Sequence, residues 1–139
     1  MVITNFGSPE VFVESEVDKP TPRNNEVLVK VYATSVNPAD CGVRQGVFGL
    51  KVKLPAILGF DVSGVVEAMG ENARDFQVGD EVYYVILDKE GGGANAEYHV
   101  VNELTLVSKT FSLHQVAQAH KTFEQGGEGV RGKIVVQVV

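Results

Sequence analysis

Apolar and polar residues alternate most regularly over residues 27–36, where Val27, Val29, Val31 and Ala33 fall on one face of a predicted β-strand. Shorter β-prone runs, separated by Gly- and Pro-containing turns, occupy residues 1–4, 11–17, 62–68, 82–87, 96–101 and 104–107. Helical periods are few, and strands do not alternate with helices. The pattern therefore predicts a mainly β protein with a few helices, built as an antiparallel barrel or sandwich.

The first predicted helix follows the strand that ends at Val36. Asn37 is a good N-cap, and Pro38 has a preset φ that suits the first helical position. Asp40, three residues after the cap, complements the positive end of the helix dipole. We expect the helix to run to about Gln45 and to stop at Gly46.

The carboxy-terminal segment has a different character. Ser112, with Gln115 three residues later, reads as the start of a capping box. An apolar helix face would follow, formed by Leu113, Val116, Ala117 and His120. On that face His120 is expected to be a satisfied core histidine. A closing strand is predicted over residues 133–139.

Composition and charge narrow the function classes. The chain has 139 residues, a net charge of −6 and a pI of about 5.0, without a basic stripe, so nucleic acid is an unexpected partner. Its apolar runs are far shorter than the ~20 residues that span a bilayer, which argues against a membrane partner. The single Cys41 cannot form an internal disulfide, and no signal peptide is recognisable before the first strand. These features fit a cytoplasmic location.

Three stretches carry a family resemblance: NPADCGVRQG, LPAILGFDVSGVVEAMGENARDFQVGDEVY and GGANAEYHVV. They resemble the substrate-side domain of the medium-chain dehydrogenase/reductases, and more narrowly the zinc-free quinone oxidoreductase (zeta-crystallin-like) branch. The resemblance implies a GroES-like distorted antiparallel barrel over residues 1–110. It also implies that a nucleotide-binding domain is missing at about Thr110–Phe111, by an engineered or a natural deletion. Residues 111–139 would then be a carboxy-terminal helix and strand docked on the barrel within a single domain.

One motif suggests nucleotide binding at first sight. Gly127, Gly129 and Gly132 spell G-x-G-x-x-G, but the dinucleotide fingerprint requires a strand before it and a helix after it. Here the predicted order is helix and then strand. We interpret the segment as a Gly-rich helix-to-strand turn.

The resemblance also implies site residues. Asn37 and Asp40 match a family Asn and Asp at the cleft, and we predict that both are catalytic and that Asn37 also contacts the nicotinamide. The amide N–H₂ of Asn37 could stabilise negative charge on a substrate carbonyl oxygen. Helix capping is the structural alternative for this pair. For substrate binding we expect Arg44, Phe48 and Phe60, the alternatives being a solvated helix charge for Arg44 and core packing for the two phenylalanines.

No metal site is expected. Asn37 and Phe60 stand where zinc-dependent relatives have Cys and His, and neither residue is a good zinc ligand. Cys41 stands where many relatives have Trp or Tyr, and we expect it to be buried packing rather than a nucleophile.

The implied function is the substrate-binding domain of a zinc-independent, NADPH-dependent quinone or enone reductase. The full-length enzyme would use NADPH, and this chain alone would bind none and be inactive. A surface left exposed by the missing domain would invite self-association into a homo-oligomer. The alternative is a free-standing GroES-like binding or assembly module without enzymatic activity.

Overall fold

A computed structural model describes residues 1–47, 52–86, 92–124 and 133–137 of the chain. The elements, in chain order, are β1 (Val2–Ile3), β2 (Phe12–Val13), β3 (Glu26–Ala33), α1 (Pro38–Gln45), β4 (Asp61–Met69), β5 (Glu81–Val85), β6 (Tyr98–Asn102), β7 (Val107–Ser112), α2 (Val116–Glu124) and β8 (Lys133–Gln137). Single 3₁₀ turns cover Pro9–Val11, Glu103–Thr105 and Leu113–Gln115. The prediction of a mainly β protein with a few helices is confirmed. Among the described residues, no helix is long and apolar enough to cross a membrane.

The main sheet is antiparallel, with strand order β5-β4-β3-β6. The central strand β3 places Val29 opposite Val66 of β4 on one side and opposite His99 of β6 on the other. Val27 and Val29 are fully buried, as their alternation predicts, whereas Ala33 at the end of the predicted face is exposed. The main core combines residues from this sheet and from the segments around it: Val27, Val29, Val62, Val66, Ala73, Val82, Tyr84, Ile86, Ala94, Val101 and Leu106.

A second, smaller core attaches the amino terminus and α1 to this sheet. It contains Ile3 from β1, Val43 from α1 and Leu58. β1 pairs with β2, and Ile3 also bridges to Ala56 in the approach to β4. Strands β1 to β6 form two antiparallel sheets rather than one traced barrel. This second core nevertheless fixes α1 beside the start of β4.

The carboxy-terminal part differs from its prediction in several ways. β7 and β8 pair in parallel, with α2 between them, so a strand–helix–strand unit is present although none was predicted. The strand predicted over residues 104–107 was wrong. A 3₁₀ turn covers Leu104 and Thr105, Leu106 is fully buried in the main core, and β7 begins only at Val107.

The predicted apolar face of the second helix was wrong. Ser112 is the last residue of β7, where it pairs with Gln137, and a 3₁₀ turn over Leu113–Gln115 follows it directly and leads into α2 at Val116. His120 is exposed, so it is not a core histidine, whereas the neighbouring Ala119 is buried. The Gly127–Gly132 segment lies outside the described residues, but the elements around it are a helix followed by a strand, as predicted.

Candidate functional site

The amino-terminal end of α1 forms as its sequence predicts. Asn37 is extended at the N-cap, and its backbone N–H donates to Asp40 Oδ2 at 2.7 Å, one arm of a capping box. At the other end Gly46 takes the left-handed conformation that stops the helix. Because local signals fix both ends of α1, Asp40, Cys41 and Arg44 have fixed positions on one short rigid element.

The Asn37 side chain is held in a polar network with the first residue of β4. Its Nδ2 donates to Asp61 Oδ2 at 2.7 Å and lies 3.2 Å from Ser35 Oγ. Ser35 Oγ also donates to Asp61 Oδ2. The hydrogen bond from Ser35 and, to a smaller extent, the one from Asn37 hold the pKa of Asp61 below its usual range. The amide N–H₂ that was expected to face a substrate carbonyl is therefore used within the protein.

Asp40, unlike Asn37, has a side-chain atom without a hydrogen-bond partner among the described residues. Its side chain is 9% exposed, and Oδ2 accepts the Asn37 N–H, but Oδ1 is buried with no hydrogen-bond partner among the described residues. Buried polar atoms are almost always paired, so an unpaired carboxylate oxygen requires an explanation. Asp40 lines the larger of two clefts, but Oδ1 itself is enclosed by the surrounding protein and is not accessible from that space.

The larger cleft has a volume of about 1430 Å³. Its walls come from the segment after β2, the end of β3, the first residues of α1 and the approach to β6. Ionisable side chains on these walls are mainly acidic: Glu14, Glu16, Asp18, Asp40 and Glu97.

Both basic side chains of the cleft are engaged within the protein. Lys19 pairs with Glu67 and lies 4.0 Å from the centre of the Tyr98 ring. Arg44 is 7% exposed, and its Nη1 donates to the carbonyl oxygen of Gly7. Arg44 is therefore not a solvated helix charge. A neutral ligand suits this cleft better than an anion, because the acidic groups outnumber the basic ones and the basic ones are already paired.

A second cleft of about 480 Å³ adjoins the polar network. Ser35 and Asp61 line it together with Tyr83, Val85 and Val107. Ser35 also lines the larger cleft, so both clefts share this residue of the network. The sequence analysis missed Ser35 and Asp61. The sequence did offer a clue to Asp61, because it directly follows Gly59-Phe60 in one of the stretches that carry the family resemblance.

The remaining predicted site residues are Phe60, Phe48 and Cys41. Phe60 is half-buried and packs against the second core, a placement that favours its packing alternative. Phe48 lies outside the described residues. Cys41 was expected to be buried, but it is exposed and lines the larger cleft, because it occupies the outward face of α1 next to Asp40.

The polar residues near β5 and β6 offer no metal centre. Tyr84 Oη and His99 Nδ1 are 3.0 Å apart, and burial raises the pKa of Tyr84. Within the described ranges, no three His, Cys, Asp or Glu side chains come close enough to hold a metal ion.

Comparison with known proteins decides the family. The sequence profile of the family described as "Alcohol dehydrogenase GroES-like domain" matches residues 23–110, well over half of the chain. The chain belongs to this family. Within it, the GroES-like domain is of the quinone oxidoreductase type found in the medium-chain dehydrogenase/reductases, a superfamily of oxidoreductases. The sequence-based recognition is thereby confirmed.

Individual relatives show which part of an enzyme this GroES-like domain matches. It is 41% identical over 105 residues to the quinone oxidoreductase of Sus scrofa, covering 75% of this chain and 31% of that protein. It is 36% identical over 138 residues to the chloroplastic NADPH-dependent alkenal/one oxidoreductase of Arabidopsis thaliana, covering 93% of this chain and 36% of that protein. The Escherichia coli quinone oxidoreductase complexed with NADPH superposes with a TM-score of 0.70 at 26% identity, over 76% of this chain and 31% of that one. The chain thus spans about a third of the length of the relatives it matches.

Proposed function

We propose that this chain is the substrate-side domain of a zinc-independent, NADPH-dependent quinone or enone reductase and that it is inactive alone. The observation that carries the proposal is the cleft beside α1, whose ionisable lining is mainly acidic and whose two basic side chains are already paired within the protein. Relatives named as quinone and alkenal/one oxidoreductases supply the substrate class. A neutral quinone or enone also agrees with the acidic lining of this cleft.

The basic side chains that line this cleft do not fit the anionic part of NADPH. Phosphate groups are usually held by free Arg or Lys side chains or by a helix N-terminus. Here Arg44 and Lys19 are paired within the protein, and the N-terminus of α1 already carries the Asp40 carboxylate. In a whole enzyme, NADPH would supply the hydride. A contact between Asn37 and the nicotinamide remains a prediction from the resemblance.

The same geometry supports zinc independence. Asn37 is hydrogen-bonded to Asp61, and Phe60 packs into the second core, so both positions have structural partners in place of a metal. We expect elemental analysis of protein purified without a metal-affinity tag to give well under one zinc per chain. A ratio near one would contradict this part of the proposal.

Ligand binding gives the direct test of the proposed function. Tetramethyl-1,4-benzoquinone is a suitable neutral probe, because all of its ring carbons are substituted and thiol addition is slow. Titrated into ¹⁵N-labelled protein, it should shift the backbone amides of Asp40, Cys41 and Tyr98, which line the cleft. Amides of Tyr83 and Val85, in the wall of the smaller cleft, serve as the internal control and should shift less. No shift around α1 up to the solubility of the quinone would contradict the proposal.

Turnover is the second arm of that test. The purified chain, mixed with NADPH and the same quinone, should oxidise NADPH no faster than buffer does. Turnover above the buffer control would show that the chain is active alone.

Self-association belongs to the same proposal. Tyr32 and Val36 are 68% and 80% exposed at the rim of the cleft, where a second domain or a second copy could cover them. A native mass measurement distinguishes the possibilities. A dimer supports self-association through this surface, a ring of several copies supports the assembly-module alternative, and a monomer contradicts both.

A further inference from the structure

The segment between β2 and β3 lines the larger cleft with very few attachments to the rest of the protein. We call residues 14–22 the strap; they form no helix or strand. Residues 14–21 are all exposed, and the backbone of the strap makes no hydrogen bond to the other described residues. Segments with so few buried contacts and backbone hydrogen bonds are the ones that open most easily in a folded protein. The strap is therefore the part of this cleft wall that moves most readily.

One side chain of the strap, Lys19, is attached to the main sheet. Its Nζ forms an ion pair with Glu67 of β4 and lies 4.0 Å from the centre of the Tyr98 ring of β6. β4 and β6 lie on either side of the central strand β3, so both partners belong to the rigid part of the fold. Exposed ion pairs and cation–π contacts are individually weak. Lys19 can therefore hold the strap against the sheet and still be released without unfolding of the domain.

The strap also supplies most of the negative charge of the larger cleft. Three of the five acidic residues that line this cleft, Glu14, Glu16 and Asp18, belong to the strap, and the other two are Asp40 and Glu97. Movement of the strap away from the sheet would carry these three carboxylates out of the cleft. The position of the strap therefore determines how strongly the cleft repels an anion.

We propose that the strap is a movable wall of the larger cleft, held closed by the contacts of Lys19 with Glu67 and Tyr98, and that the closed strap excludes anionic ligands. The inference rests on the proposed function, because that function makes the cleft the ligand site. In the closed state the cleft selects neutral quinones and enones over analogues that carry a sulfonate or a carboxylate. Release of Lys19 opens the cleft and removes part of this selection.

Backbone dynamics test the role of Lys19 without any ligand. In the natural chain, the heteronuclear {¹H}–¹⁵N NOE of the amides of residues 14–19 should be well above the value of a free chain. Lys19→Ala should lower it towards that value, whereas Lys19→Arg, which keeps the charge and can form both contacts, should not. Lys30→Ala is the matched control, because it removes an exposed lysine of β3 whose ammonium lies 5.6 Å from the Tyr32 ring. A low NOE in the natural chain, or an unchanged NOE in Lys19→Ala, would overturn the role of Lys19.

An anionic quinone tests the effect of the strap on ligand choice. 9,10-Anthraquinone-2-sulfonate is a suitable probe, because its fused rings leave no quinone carbon open to thiol addition. Loss of the Lys19 charge alone would weaken the binding of this anion, whereas movement of three carboxylates out of the cleft would strengthen it. The dissociation constant, from shifts of the Asp40 and Cys41 amides, should therefore fall by about threefold or more in Lys19→Ala. It should not fall in Lys30→Ala, which loses the same charge. Unchanged, weaker or absent binding to Lys19→Ala would overturn the exclusion of anions.

The outcomes are separable from those of the proposed function. A strap that loosens in Lys19→Ala while tetramethyl-1,4-benzoquinone binds to no variant would contradict the proposed function and support the attachment through Lys19. Binding of that neutral quinone to a chain whose strap is unaffected by Lys19→Ala would overturn the movable wall alone.

Discussion

Asp61 links the end of β3, the cap of α1 and the start of β4 through a single carboxylate. Ser35 and Asn37 both donate to its Oδ2, and these bonds favour the charged form. The carboxylate is thus the acceptor that fixes the orientation of the Asn37 amide. Asn37, which was predicted to be catalytic, therefore depends for its orientation on Asp61, which was not predicted to be a site residue.

The lowered pKa of Asp61 predicts a pH dependence of stability. The unfolded chain binds the proton near the ordinary value of 3.8 and the folded chain only at lower pH, so the stabilisation is present above that value. It is lost as pH falls through the folded pKa. The free energy of unfolding should therefore fall more steeply between about pH 4 and pH 2 for the natural chain than for Asp61→Asn.

Urea denaturation at a series of pH values measures this difference. Ser35→Ala is the matched control, because it removes one of the two donors and should give an intermediate slope. Identical slopes for the natural chain and Asp61→Asn would show that the network does not stabilise the charged carboxylate.

A second buried carboxylate, Glu103, has a structural role. It is 3% exposed, and its Oε2 accepts the backbone N–H groups of Arg74 at 2.8 Å and Asp75 at 3.0 Å. Glu103→Ala leaves two donors without this acceptor and should lower the free energy of unfolding by at least about 2 kcal/mol. Glu103→Gln keeps one acceptor oxygen and should lose less.

Glu71 provides the comparison for this prediction, because it is an exposed glutamate in the neighbouring turn. Glu71→Ala should stay within about 0.5 kcal/mol of the natural chain in the same urea experiment. If Glu103→Ala is equally mild, the hydrogen bonds from residues 74 and 75 do not hold this turn.

Single residues also show where sequence reasoning stops. The pairing of Asn37 with Asp40 was predictable, because both partners lie within one helical turn. The exposure of Cys41 and His120 was not, because it depends on which face of each helix meets the sheet. Glu103 reads in the sequence as an ordinary polar residue, since its partners lie 28 and 29 positions away.

At the scale of elements, the pairing of β3 with β4 depends on a glycine. Gly64 lies opposite Val31, and a Cβ built on it would come within 2.2 Å of the Lys30 carbonyl oxygen and 2.7 Å of Val29 Cγ1. The first contact is with backbone, so a rotamer change cannot relieve it. Any larger residue at this position must push the two central strands apart.

Gly64→Ala should therefore lower the free energy of unfolding by roughly 3 kcal/mol or more. This is near the upper end of the destabilisation that overpacking a core usually causes. Ser63→Ala is the matched control on the adjacent, exposed position and should change stability by less than about 0.5 kcal/mol. Thermal or urea unfolding of both variants checks the difference. Equal stability of the two variants would mean that the strands adjust without loss.

Elements defined by local signals were predicted well, and elements defined by distant partners were not. α1 has the predicted bounds, because Asn37, Pro38 and Gly46 fix its ends within the segment itself. Ser112 ends β7, where it pairs with Gln137, and also directly precedes the 3₁₀ turn that leads into α2, so its local signal marked this boundary but not the strand before it. The parallel arrangement of β7 and β8 arises from that distant partner, which no periodicity within residues 107–112 could reveal.

On the scale of the whole molecule, the larger cleft is assembled from segments far apart in the chain. Glu14 and Lys19 come from the irregular stretch after β2, Asp40 from α1 and Tyr98 from β6. The resemblance placed Asp40 and Arg44 at a cleft, but it could not identify the opposite wall. The acidic character of that wall comes from residues that belong to no recognisable sequence motif.

The last prediction is that residues 111–139 dock on the barrel as part of one domain. β7 follows the fully buried Leu106 and contacts β5, and β8 pairs with β7 from Val107 to Ser112. If this unit is part of the domain, backbone amides of Lys109–Ser112 and Ile134–Gln137 should exchange slowly and lose protection together with β3 and β4 as urea is added. Residues 14–23, which form no regular secondary structure, provide the fast-exchanging reference in the same spectra. Exchange of Ile134–Gln137 at the rate of that reference would mean that β8 is free in solution, and the interpretation of residues 111–139 as part of the barrel domain would be wrong.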